Sequence, residues 1–76
     1  MFKATIISQK QTIFEGSVRS VFLPGIEGEF EVMDHHKPLI SLLKPGDVII
    51  NWEAALPISK GVVMVNNKEL IAMVEE

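Results

Sequence analysis

Val62-Val63-Met64-Val65-Asn66-Asn67-Lys68-Glu69-Leu70-Ile71-Ala72-Met73-Val74 is the stretch whose reading settles the fold class. Two short apolar runs flank a pair of asparagines, and the first is rich in β-branched residues. Asn tolerates the left-handed conformation that a two-residue hairpin loop needs, so the stretch reads as two antiparallel strands joined at Asn66-Asn67. Both runs are apolar at odd and even positions alike. A strand of that kind is either covered on both sides or offers one side to a partner.

Upstream the same alternation of short runs and turn formers continues. Gly16, Pro24-Gly25, Gly28, Pro45-Gly46, Asn51, Pro57 and Gly61 leave few gaps that could hold an average helix. Between them residues 2–7, 12–14, 18–23 and 48–52 read as strands. Residues 39–43 join them, because Pro38 and Pro45 bracket that segment too tightly for a helix. Over residues 27–32 a period of two sends Phe30 and Val32 to one face and Glu29 and Glu31 to the other. The sum is an all-β fold: an antiparallel two-sheet sandwich, or a flattened barrel, over a single domain of residues 1–76.

Composition narrows the function. A chain of 76 residues buries only about 60–65% of the surface its unfolded form exposes, yet 47% of its residues are hydrophobic. Some of that apolar surface therefore awaits a partner. The absence of cysteine removes disulfides and thiolate metal sites. A net charge of −3, with basic residues scattered from Lys3 to Lys68, argues against nucleic acid. No apolar run approaches the roughly 18–20 residues that span a bilayer, and no apolar signal segment opens the chain.

Chemistry-bearing groups are few. Asp34, His35 and His36 raise a metal site, but alternation leaves only Asp34 and His36 on a common face, and two ligands do not close a site. Gly25 and Gly28 lack the following Gly-Lys-Ser/Thr of a phosphate cradle and read as turn glycines. Of the serines at positions 8, 17, 20, 41 and 59, none lies in a Gly-x-Ser-x-Gly elbow. Glu27, Glu29 and Glu31, with Asp34 beyond, form an acidic strand face in a stretch without Lys or Arg from Ser20 through His36. On the wetter side of a strand those carboxyls are not desolvated into general acids, which leaves an acidic docking edge or a solvated face. A biotinyl- or lipoyl-type carrier domain is an alternative of similar size, with Lys68 beside Asn66-Asn67 as its only candidate lysine and no flanking methionine. A small metal-binding β-domain built on Asp34, His35 and His36 is another.

A string of spaced signatures goes further: Phe14-Glu15-Gly16, Pro24-Gly25, Gly28-Glu29-Phe30, His36-Lys37-Pro38-Leu39, Leu43-Lys44-Pro45-Gly46 and Ser59-Lys60-Gly61. In their order and spacing the sequence resembles the epsilon subunit of F-type ATP synthases, over essentially its whole length. Glu31 and His35 stand where that family usually has glycine, and Lys37 and Lys60 replace a common alanine and glycine.

The resemblance implies the family's N-terminal sandwich of about ten short strands. It also implies a rotor subunit of the central stalk that couples proton flow to rotary ATP synthesis without catalysis or cofactor of its own. Such a subunit binds gamma and the c-ring, and lies peripherally at the cytoplasmic face of the bacterial inner membrane, meeting the membrane only through the complex. By position Ile26, Glu27, Glu29 and Glu31 match the segment that meets the c-ring loops, which carry arginine in the family. Ser8, His36, Ser41 and Ile71 match positions facing gamma, joined by Met73 on the strand face of Ile71. The family usually continues into a two-helix hairpin that restrains ATP hydrolysis. This sequence stops at Glu75-Glu76; if that is its natural length, the resemblance implies coupling with little of that restraint.

Overall fold

Residues 18–23 do not form one strand. In the computed structural model, which describes residues 1–76, the run breaks at Arg19, where the chain leaves one sheet and enters the other. Asn51 holds this crossing: its Oδ1 accepts from the N–H of Arg19 at 2.7 Å and of Ser20 at 3.2 Å, while its own N–H donates to the Ser20 carbonyl at 2.9 Å.

Nine strands result: β1 (Phe2–Ile7), β2 (Thr12–Val18), β3 (Ser20–Leu23), β4 (Phe30–Met33), β5 (Leu39–Leu43), β6 (Gly46–Ile50), β7 (Ala54–Ile58), β8 (Lys60–Val65) and β9 (Glu69–Glu75). They form a five-stranded front sheet in the order β2-β1-β9-β8-β5 and a four-stranded back sheet in the order β4-β3-β6-β7. Every pairing is antiparallel except β1 with β9, which run in the same direction.

The period of two builds the core. Phe2, Ala4 and Ile6 of β1, Val63 and Val65 of β8, and Leu70, Ala72 and Val74 of β9 turn inward from the front sheet. They meet Val21, Leu23, Val32, Val48, Ile50 and Ile58 from the back sheet. The alternating residues of each strand are left on the two outer faces.

Several local readings change. Strand β7 departs from the expectation that Pro57 breaks the chain; the proline is tolerated because β7 is an edge strand whose outer N–H needs no partner. The alternation at residues 27–32 becomes a strand only from Phe30, because Gly28 takes a φ of 146° and turns the chain before it. The hairpin at Asn66-Asn67 does form, with four residues between the paired Val65 and Leu70. Its loop is closed by a side chain: Asn66 Oδ1 accepts from the N–H of Lys68 at 2.8 Å and of Glu69 at 2.9 Å. The left-handed pair lies instead between β6 and β7, at Asn51 (φ 53°) and Trp52 (φ 56°), with the Glu53 N–H donating to the Ile50 carbonyl at 3.0 Å.

Candidate functional site

Strand register decides which side chains share the outer face of the front sheet. Ile40 lies opposite Met64, Met64 opposite Ile71, and Ile71 opposite Thr5. A second row runs Leu42, Val62, Met73 and Ile7. Directly paired residues point to the same side, so these rows form one continuous apolar surface. Ile40 is 73% exposed, and Leu42, Met64 and Met73 are each more than half exposed. Lys3 with Glu15, and Lys60 with Glu75, make ion pairs at its margins at 3.2 and 3.6 Å. An apolar centre with a charged rim has the anatomy of a protein interface.

Ile71 and Met73 sit in the middle of this surface. Ser8 adjoins it at the end of β1, where its Oγ accepts from the N–H of Lys10 and of Gln11, both at 3.3 Å, and shapes the turn into β2. Ser41 does not join the face: it pairs with the buried Val63 and so points to the inner side at the open edge of β5, its Oγ donating to the Leu42 carbonyl at 3.1 Å. His36 precedes β5, half-buried, with its Nδ1–H donating to the Lys37 carbonyl at 2.8 Å. Register thus leaves Ser41 and His36 off the two rows and brings in Ile40, Leu42, Val62, Met64 and Ile7. The sequence signal for the last group was the apolar character of both faces in residues 62–65 and 70–74, but only pairing identifies which residues share the outer side.

The acidic segment is a loop rather than a strand face. Gly25 pairs with Leu43 as an isolated bridge, bracketed by the Ile26 N–H donating to the Leu42 carbonyl and the Lys44 N–H donating to the Pro24 carbonyl, both at 2.9 Å. Ile26 and Glu27 then turn, the Gly28 N–H donating to the Gly25 carbonyl at 3.1 Å, and Glu27 and Glu29 are exposed. Glu31 is separated from them. It lies half-buried in β4 on the outer side of the back sheet, where its Oε2 accepts from Trp52 Nε1–H at 2.6 Å. Trp52, which the sequence reading did not single out, also packs against Phe22 with ring centroids 5.2 Å apart. A left-handed φ is uncommon for so bulky a residue.

Gly25 seats this loop closely. A Cβ added there would stand 2.5 Å from the Gly28 carbonyl oxygen and 2.8 Å from the Phe30 ring. Gly25→Ala is therefore expected to displace the loop and cost about 1–3 kcal/mol of stability. A urea unfolding midpoint equal to that of the unsubstituted chain would contradict this.

The remaining candidates stay apart. His35 takes a φ of 64° where the resembling family has glycine, and forms a turn with Asp34. No three His, Asp or Glu side chains converge on a common point. Lys68 is exposed in the hairpin turn of Asn66.

Comparison with known proteins adds the following. The family model described as "ATP synthase, Delta/Epsilon chain, beta-sandwich domain" matches residues 1–76. The ATP synthase epsilon chain of a Nitratiruptor species is 40% identical over 77 residues, covering 96% of this chain and 60% of its own length. That of Aquifex aeolicus is 32% identical, covering 100% and 59%. The present chain thus spans about three fifths of these two relatives. The epsilon chain of Chlorobium limicola is 33% identical, and 90% of its length is covered. Among solved structures, a chain of the Euglena gracilis mitochondrial ATP synthase, described as OSCP/F1/c-ring, is similar with a TM-score of 0.85 at 23% identity, covering 99% of this chain and 51% of that one. A chain of the Tetrahymena thermophila mitochondrial ATP synthase, described as central stalk/c-ring, has a TM-score of 0.80 at 14% identity, covering 99% and 63%. At these identities the two structures establish the shared fold.

Proposed function

This chain belongs to the family of ATP synthase delta and epsilon chains, matching its β-sandwich domain, and we propose that it acts as a non-catalytic rotor subunit. In this reading the outer face of the front sheet packs against the gamma subunit of the central stalk, and the loop from Ile26 to Glu29 rests on the polar loops of the c-ring. Rotation of the ring then turns the stalk without slippage, coupling proton flow to ATP synthesis at the cytoplasmic face of the bacterial inner membrane. The membrane is met only through the complex. The carrier and metal-domain alternatives give way to the family match.

The observation that carries the reading is the apolar outer face. The domain already holds sixteen buried hydrophobic residues between its sheets, so Ile40, Leu42, Met64 and Met73 are not needed for its core. Their contiguity supports a partner of complementary apolar surface. Calorimetry with purified gamma tests the contact directly, and the absence of saturable binding would sink it.

The second contact has its own test. Glu27 and Glu29 make no ion pair within the chain and are free to meet a basic partner. Glu29→Lys is expected to weaken coupling between proton flow and ATP synthesis while changing stability by about 0.5 kcal/mol or less. Glu31→Lys would not isolate this contact, because it also removes the partner of Trp52. Normal coupling with a large loss of melting temperature in Glu29→Lys would contradict the assignment.

A further inference from the structure

We propose that the groove beside Ile26 is a joint between the two docking surfaces: a large apolar side chain of the stalk partner seats there against Leu42 and Met73, touches Ile26, and so holds the acidic loop in its docking conformation. The inference rests on the reading above and adds that the two partners bind cooperatively.

The groove, of about 470 Å³, is lined by Ile7, Leu42, Val62 and Met73, together with Ile26. The first four are the second row of the front-sheet outer face, so the surface read as gamma-facing and the first residue of the loop read as ring-facing share one depression. Its interior is apolar, and Lys60 and Glu75 at its edge already pair with each other at 3.6 Å. A charged side chain would be desolvated there without a partner, which selects an uncharged one such as Leu, Met or Phe.

The loop is anchored at its base by the Gly25–Leu43 bridge and its flanking backbone bonds, and Ile26 is the last residue tied to β5. Ile26 N–H donates to the carbonyl of Leu42, whose side chain belongs to the groove. Beyond it the Gly28 N–H bond to Gly25 is the only backbone bond before Phe30 outside the strands, and neither Glu27 nor Glu29 makes a side-chain ion pair. Segments with few buried contacts open readily. An occupant that packs against Ile26 removes part of the ordering cost that the ring would otherwise meet, and a cost removed by one ligand appears as tighter binding of the other. Linkage makes the effect reciprocal.

The experiment measures the affinity of the full chain for detergent-solubilised c-ring, with and without saturating purified gamma. We expect gamma to tighten ring binding about fivefold or more. In Ile26→Ala the ratio of the two affinities should fall toward one, whatever the substitution does to each affinity alone. Ile26 is exposed in a loop, so the variant is expected to fold, which circular dichroism checks. A ratio of one in the unsubstituted chain, or an unchanged ratio in Ile26→Ala, overturns the proposal. Failure of the underlying reading looks different: gamma then does not bind the chain, or binds an Ile71→Asp variant unimpaired.

Discussion

Ile71→Asp is expected to abolish assembly of this chain with gamma while leaving the sandwich folded. Ile71 stands in β9 between Met64 and Thr5, in the middle of the outer rows and away from the interior. In the free domain a carboxylate at this half-buried position keeps access to water. Under a partner it loses that water and is left between Met64 and the uncharged Thr5, beneath whatever apolar group covers them. No cation lies on the two rows to compensate. An unpaired charge buried at the centre of an interface costs several kcal/mol, and each 1.4 kcal/mol is about tenfold in affinity. A loss of roughly a thousandfold is thus the expected scale. Co-purification of the variant with gamma at normal yield, with its circular dichroism unchanged, would show that the interface lies on another face.

The neighbouring residue gives the opposite result. Leu70 is fully buried, paired with Val65 on one side and Ala4 on the other. Leu70→Ala removes methyl groups from the middle of the core and leaves a cavity that the facing back sheet fills only in part. Substitutions of this kind cost about 2–5 kcal/mol. A domain of this size has a total stability of roughly 4–11 kcal/mol at 0.05–0.15 kcal/mol per residue. Leu70→Ala therefore takes a large share of it, and urea denaturation is the measurement. A loss below about 1 kcal/mol would mean that the core between β9 and the back sheet collapses more easily than close packing allows.

Adjacent residues with contrary roles show how far the chain could be read before it was folded. The strands at residues 2–7 and 39–43 are recovered with their limits, because turn formers and bracketing prolines act locally. The acidic stretch is recovered as composition but not as shape. Glu27, Glu29 and Glu31 alternate as a strand face should, yet the backbone turn at Gly28 leaves two of them in a loop, and Trp52 from a distant turn holds the third. Trp52 itself was not legible, since its neighbours Phe22 and Glu31 lie 30 and 21 residues away in the sequence.

The family came from a resemblance carried by the spaced signatures, whereas residue chemistry alone gave the all-β class and the surplus of apolar side chains. These depend on turn preferences, on alternation and on counting, all of which act within a few residues. The composition of the docking face depended on tertiary structure. Met73 meets Val62 and Ile7, and Leu42 joins them, only through pairings between strands far apart in the chain, one of them parallel. A slip of one residue in any of those registers would turn the buried set outward and the exposed set inward. What prevents the slip is the packing of Ile6, Val63 and Leu70 against the back sheet, a contact between sheets that no local pattern encodes.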